Sequence, residues 1–401
     1  MRPTSGINGK TQVIFCEQKL ERSPYLYMHL KKIDIYRLKI PLCMPVKHFL
    51  AEHHFAENII VKITTRQDVT GFGEGVPREF VTGEKVSESI ACLENSLWPR
   101  AKGLPIAHPA DVLDTLSEIL STEKTDRVPA VCCALESAIL DAAGKTWNMS
   151  VADFFGPKDQ SLCYSAVLPL TPPDVFNGLL RQTRDVGMTQ VKIKVGDELD
   201  LERLKSARRI LGPDVDIRVD ANSAWTSGEA TGQIEKMMAY GISSVEQPVG
   251  AADLDGFLHV AENTTIPIVA DESMCTHTDA EQLAKLGEQV IFNLRLSKCG
   301  GIQAAHRIYE MGRAHGVASQ LGCQVGETSI LAAAGQQFAL THELRHLEGA
   351  YSRYLLKEDV VDPPVSFGPA GSATPSPWPG LGLVVNEKAL DRLAVMHQAI
   401  S

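Results

Sequence analysis

Five ionisable residues recur in the second half of the chain at nearly even steps: Lys194, Asp220, Glu246, Asp271 and Lys298, separated by 26, 26, 25 and 27 residues. Each closes a short, largely apolar run, as in Val191-Lys192-Ile193-Lys194, Ile217-Arg218-Val219-Asp220 and Ile268-Val269-Ala270-Asp271. Three carboxylates brought to one place repel one another unless a cation sits among them. A single acid after a strand is ordinarily a helix N-cap. Three in consecutive units, with lysines in the units on either side, point instead to a metal on Asp220, Glu246 and Asp271. Oxygen donors without His or Cys select a hard ion, Mg²⁺ first and Mn²⁺ as the alternative. Lys194 and Lys298 flank the trio in strand order. An ammonium near a divalent ion and a second lysine is less favoured in its charged form and becomes usable as a base. Lys192 shares a strand face with Lys194. Two lysines on one face of an apolar strand call for an anion, unless the strand is an edge with a solvated face.

About 26 residues is the length of one strand, loop, helix and return loop. The period-2 runs predict eight strands, at about 163–168, 190–195, 215–220, 242–246, 267–270, 290–297, 317–321 and 344–348, with helices between them, among them 200–211, 229–240, 279–286 and 302–315. Eight parallel strands with intervening helices make a closed barrel, whose strand C-termini meet at one mouth. An open doubly wound sheet is the alternative, but no GxGxxG follows the first strand.

Ahead of the barrel the pattern is α+β. Strands are expected at 32–40 and 58–65, with a loop over 41–58 that carries His48, His53, His54 and Phe55. Gly71 to Pro77 reads as a meander closed by turn residues, and helices follow at 84–100, 109–122 and 131–146. The expected organisation is an extension over 1–30, an α+β capping domain over 31–155, a barrel over 156–370 and a segment over 371–401 that returns to the cap. Residues 361–380, rich in Pro, Ser and Gly, read as irregular.

The formal charge of −10 argues against nucleic acid or an anionic membrane surface as partner. No apolar run approaches the roughly 20 residues that span a bilayer, and the first 30 residues do not read as a secretory signal. The nine cysteines form no CxxC pair, which speaks against zinc and for buried thiols in a reducing cytoplasm.

The order Lys-x-Lys, Asp-x-Asn, Glu-x-Pro, Asp-Glu-Ser and Lys-x-Gly-Gly resembles the enolase superfamily in its muconate-lactonising-enzyme subgroup, from about residue 31 onward. That resemblance implies a (β/α)7β TIM-like barrel with an α+β cap and one Mg²⁺ on the three carboxylates. It implies abstraction of the proton α to a carboxylate, with Lys194 as base on one face of the carbon and Lys298 as acid or base on the other. Lys192 would steady the substrate carboxylate. Asn222 and Gln247 would support the metal ligands, and Glu272 would orient Lys298. It also implies a small-molecule carboxylate substrate and a homo-oligomer.

Pro77-Arg78-Glu79-Phe80-Val81-Thr82-Gly83-Glu84 and Gly322-Cys323 are similar to stretches of dipeptide epimerases. Those enzymes hold the substrate ammonium with Asp-x-Asp after the eighth strand. Here Leu347-Glu348-Gly349-Ala350 stands there, which leaves Glu348 and, after the seventh strand, Glu327 as the acidic candidates for substrate contact. The expected reaction is racemisation or epimerisation of an amino-acid derivative or dipeptide. A cycloisomerase or syn-dehydratase, similar to muconate cycloisomerase or o-succinylbenzoate synthase, uses the same residues. A non-catalytic descendant would have lost one of the five, and none is lost.

Overall fold

Alternating apolar residues from residue 30 onward form β1 (Leu30–His48), which pairs antiparallel with β2 (Ala51–Thr65). The structure is a computed structural model and describes residues 27–48, 51–122 and 125–401. Most of the expected N-terminal extension, and the side chains of His48 and His53, lie outside the described residues. The loop expected over 41–58 is instead a continued hairpin, with Pro41 opposite Phe55 and His48 opposite Ala51. A register shift between Pro41 and Val46 absorbs the break in the ladder that a proline imposes. His54 and Phe55 are exposed, and the Lys39 ammonium lies 4.7 Å from the Phe55 ring centre.

The next strand, β3 (Thr70–Gly75), corrects the turn reading of its glycines. A Cβ on Gly71, Gly73 or Gly75 would fall 2.2, 2.0 or 2.0 Å from the carbonyl oxygens of Ala138, Ala134 and Ala130. Alternate glycines therefore let the strand lie directly on the backbone of the buried Pro129–Trp147 helix. Phe72 and Glu74, between them, point the other way.

Two short strands follow, β4 (Leu162–Cys163) and β5 (Ala166–Leu168), which split the first expected barrel strand. The parallel series continues through β6 (Gln190–Lys194), β7 (Asp216–Asp220), β8 (Ile242–Glu246), β9 (Ile268–Ala270), β10 (Val290–Leu294) and β11 (Ala318–Leu321). Strands β5 to β11 are hydrogen-bonded in sequence order. The expected eighth strand is reduced to a seam at 345–348. Leu347 bridges in parallel to both Leu321 and Tyr164, with Ser165 N donating to Leu347 O at 2.8 Å and Glu348 N to Leu321 O at 2.8 Å. Gly349 and Ala350, at φ 122° and 57°, then turn the chain away and end the pairing. β10 also stops earlier than expected, and Leu296–Cys299 form a helical turn, so Lys298 is not on a strand.

Residues 361–380 are not wholly irregular: β12 (Ser372–Ala373) pairs antiparallel with β4. The last strand, β13 (Ala394–Ile400), joins the cap sheet beside β1, in the order β13-β1-β2-β3.

Buried acids of the cap seal barrel helices. Glu74 accepts from Thr328 N at 2.9 Å, Thr328 Oγ1 at 2.6 Å and Leu331 N at 2.9 Å, at the start of the Ser329–Ala339 helix. Glu136 accepts from Ile302 N and, at 3.0 Å, from Gln303 N, which open the Ile302–Ala314 helix. Val76 N donates to Ser297 Oγ at 2.8 Å, and Arg78 donates to Val325 O at 2.8 Å. These contacts seat the cap on the loops that follow β10 and β11, at the barrel mouth.

Among the described residues no helix is long and apolar enough to cross a membrane. The eight described cysteines are free, but only Cys132, Cys133 and Cys299 are buried and Cys43 is exposed. The expectation of buried thiols holds for Cys132, Cys133 and Cys299, whereas Cys92, Cys163, Cys275 and Cys323 are half-buried. It fails on the hairpin, where Cys43 faces solvent next to the buried Leu42.

Candidate active site

The three carboxylates sit where the strand ends bring them. Asp220 and Glu246 are the last residues of β7 and β8 and lie opposite one another in register, and Asp271 follows β9. All three are fully buried. Asn222 and Gln247 adopt positive φ, 43° and 39°, and turn the chain sharply at the mouth. Asn222 N donates to Asp220 Oδ1 at 3.0 Å. Gln247 Oε1 accepts from Asp271 N and Ser273 N, both at 3.1 Å, so its side chain ties one ligand-bearing turn to the next.

Four cations meet the trio. Lys192 donates to Glu246 at 3.2 and 3.3 Å and to Glu348 at 2.8 Å, and it lies 3.4 Å from Asp220. Lys194 donates to Asp220 Oδ2 at 2.7 Å and to Asn222 Oδ1. Arg295 donates to Asp271 Oδ2 and, at 3.3 Å, to Gln324 Oε1, with Glu246 at 3.8 Å and Glu272 at 4.0 Å. Lys298 donates to Asp271 O at 2.7 Å, Asp271 Oδ1 at 3.1 Å and Asn293 O at 2.9 Å. An ammonium has three donors, so Lys298 has none left.

Two arginines that the spacing argument passes over belong to this network. Arg218 stands two residues before Asp220, as Lys192 stands before Lys194, and the same alternation marks both as inward-facing. It is fully buried and donates to Glu348 at 2.5 Å and to Ser165 Oγ at 3.1 Å. Arg295 precedes the helical turn that carries Lys298. It lies in the apolar run Val290–Leu296, two residues after Asn293 and 24 after Asp271, so its own run carried a signal that the choice of Lys298 passed over.

The structure therefore redistributes several expected contacts. Lys192 is only 3% exposed and pairs with Glu246 and Glu348. Glu348 is likewise taken, by Lys192 and Arg218. Glu272 approaches Arg295, while the Lys298 donors go elsewhere. Glu327 is half-buried in the loop after β11 and accepts from Gln324 N. It lines a small cavity with Tyr164, Leu296, Leu331 and Glu348.

The electrostatics follow these contacts. Burial would raise the Asp220 carboxyl, but Lys194 and Lys192 override it and hold the group well below the usual carboxylate range. Burial and then Lys192 act on Glu348 in the same opposed way, and it falls to about 2. On Glu246 burial prevails over Lys192, and the group is raised. Burial raises Glu272 to about 7 and Glu327 to about 8. Burial lowers Lys298, whereas Lys192 is raised because Glu246 and Glu348 outweigh its own burial.

Residues 32–156 match the family model described as mandelate racemase / muconate lactonizing enzyme, N-terminal domain, and residues 177–389 match the one described as enolase C-terminal domain-like. The chain belongs to the enolase superfamily. Within that superfamily it is 31% identical over 309 residues to a hydrophobic dipeptide epimerase of Enterococcus faecalis, covering 76% of this chain and 84% of that one. It is 27% identical over 368 residues to an o-succinylbenzoate synthase of Bacillus subtilis, covering 90% and 95%. The crystal structure of an N-succinyl Arg/Lys racemase from Bacillus cereus superposes with a TM-score of 0.81 at 26% identity, covering 93% of this chain and all of that one. The barrel with its antiparallel cap is thus the enolase-superfamily fold.

Enolase-superfamily enzymes of this group generally bind Mg²⁺. The donors here suit a hard divalent ion, because they are carboxylate oxygens only, and Glu272 Oε2 is buried without a hydrogen-bond partner. Among the described residues no three such groups close on one point as a ready-made cage. Lys192 and Arg295 stand between the acids instead, Lys192 linking Asp220 to Glu246 and Arg295 linking Glu246 to Asp271.

Proposed function

We propose that this enzyme abstracts the proton α to the carboxylate of a small organic acid, with Lys194 as the base and with Asp220, Glu246 and Asp271 as the ligands of Mg²⁺, or Mn²⁺ in its place. The observation that carries this reading is the placement of Lys194. Its side chain is 25% exposed at the end of β6, 2.7 Å from the first of three buried acids on successive strands.

Mg²⁺, when bound, supplies positive charge where negative charge develops on the substrate carboxylate. The chain does the rest. Lys194 takes the proton, and Asn222 and Asp220 hold its ammonium in line. Lys192 and Arg218 neutralise Glu348 within the barrel, so the acids below the mouth carry no excess charge. Asn293 Nδ2 and Gln320 Nε2, at 3.1 and 3.0 Å, fix the Glu246 carboxylate.

Two outcomes share this first step. Cycloisomerisation or syn-dehydration needs one base, and it is favoured by Lys298, whose three donors are filled by two main-chain carbonyls and Asp271. Racemisation or epimerisation needs a second proton carrier. It is supported by the 31% identity to an epimerase. Eight free thiols without a disulfide among the described residues suit a reducing, cytoplasmic setting, and a homo-oligomer remains our reading from the family.

The test is proton exchange. N-acyl amino acids, dipeptides and β-hydroxy carboxylates are incubated with enzyme and Mg²⁺ in D₂O and followed by NMR. Deuterium at the α-carbon, lost in Lys194→Ala, is the expected result. Absence of exchange and of any new product across the whole panel would overturn the reading.

A further inference from the structure

Four cations touch the carboxylate trio, and they differ in what remains open to a ligand. Lys298 is 0% exposed and Lys192 3%, both with their donors engaged in the interior. Only Lys194, at 25%, and Arg295, at 10%, present surface at the mouth. Arg295 follows β10 and Lys194 ends β6. With the seam at Leu347 counted as the eighth member, β6 and β10 stand four places apart in a ring of eight, directly across the mouth. The Arg295 guanidinium also reaches Gln324 in the loop after β11. Its fork therefore lies towards the opening, whereas the Lys298 ammonium is turned to the main chain of Asp271 and Asn293.

We propose that Arg295, not Lys298, is the group facing Lys194 across a bound substrate, so that protons enter and leave the α-carbon on the Lys194 face alone. This rests on the α-proton abstraction proposed above and names the residue that decides its outcome. Guanidinium groups keep their protons in proteins. Arg295 can stabilise negative charge on the substrate by hydrogen bonding but cannot hand a proton to the carbon. The balance is simple. The C–H electron pair becomes the C=C bond of the enediolate while Lys194 takes the proton. On collapse, that pair either re-forms C–H with the proton from the Lys194 ammonium, or it expels a β-oxygen leaving group that carries the same proton away. Both outcomes use one face. Inversion requires a second donor, which Arg295 does not provide.

The experiment reads stereochemistry and binding separately. In D₂O with Mg²⁺, whichever panel acid exchanges is expected to gain α-deuterium with retained configuration, or to eliminate with syn stereochemistry. Arg295→Lys, which installs an amine at that position, is expected to add slow exchange on the other face and measurable racemisation. Binding is measured by calorimetry with N-succinyl-2-aminoisobutyrate, which has no α-proton. Arg295→Met, checked by circular dichroism to be folded at the assay temperature, is expected to weaken it at least tenfold, and Arg295→Lys to restore part of the loss. Inversion by the wild-type enzyme that persists in Arg295→Met would overturn this inference while leaving the α-proton reading intact. Unaltered calorimetric affinity in Arg295→Met would overturn it even if no panel acid reacts.

Discussion

The ammonium of Lys192 and the carboxylate of Glu348 meet at 2.8 Å inside the barrel, with Arg218 closing on the other carboxylate oxygen at 2.5 Å. A lone acid after the eighth strand is thereby the counter-charge for two buried cations. Glu348→Ala leaves both without it, and a loss of about 3–5 kcal/mol is expected, the usual cost of breaking a buried pair. Urea denaturation measures it. A loss below 1 kcal/mol would mean that water already reaches this site.

Lys194 is the exposed member of the mouth cations, so its removal separates chemistry from folding. Lys194→Ala should lower α-proton exchange by a factor on the order of 10²–10⁴. The melting temperature should fall by less than in Glu348→Ala, because a quarter of Lys194 is exposed and Lys192 still lies 3.4 Å from Asp220. Exchange that survives in this variant would assign the base elsewhere.

Removal of metal is the second chemical test. Dialysis against a chelator should abolish exchange, and added Mg²⁺ should restore it. Asp271→Asn should weaken Mg²⁺ binding in calorimetry by an order of magnitude or more. It removes one charged oxygen donor and leaves the Arg295 contact to a neutral amide. Equal Mg²⁺ affinity in Asp271→Asn would remove that residue from the ligand set.

The seal between cap and barrel is expected to respond to pH. Burial raises Glu136 to about 7 from its ordinary 4.5, and Glu74 likewise. Because the folded-state value is the higher one, the stabilisation is complete below about pH 4.5 and disappears as pH rises through about 7. The shift corresponds to at most roughly 3 kcal/mol per group. Glu136→Gln should therefore flatten the fall in stability between pH 5 and pH 8, measured by denaturant midpoints at several pH values. A wild-type midpoint that rises over this window would contradict the assignment.

Gly301 meets the same acid. It sits at φ 120°, and a Cβ there would lie 2.0 Å from Glu136 Oε2. Gly301→Ala should cost roughly 1–3 kcal/mol through backbone strain and displacement of the carboxylate. Thermal unfolding of the variant checks this, and an unchanged midpoint would show that the seal yields freely.

The barrel was legible because its periodicity is carried by local alternation: Asp220, Glu246 and Asp271 each end an apolar run, and the spacing alone predicts that they are neighbours. In the cap, Gly71, Gly73 and Gly75 look like turn residues in the sequence, whereas in the fold the Pro129–Trp147 helix lies directly against them. That close approach is tertiary and leaves no trace in a single run. Lys298 fits the interval as well as Lys194 does, but interval does not encode direction. A helical turn after Leu294 swings Lys298 into the wall and leaves Arg295 at the opening. Glu348 was found, but not its employment, because its partners Lys192 and Arg218 are far away in sequence and only the closed ring brings them in.

Strand β13, the final segment of the chain, completes a sheet begun by β1, with Ile400 opposite Ile33. During synthesis β1 emerges long before β13, and this flank of β1 has no native neighbour until that distant strand has left the ribosome. An unpaired flank of this kind is a template for wrong partners. The nascent chain therefore passes through a long interval in which a chaperone, or a second nascent copy, competes for the place that β13 will take.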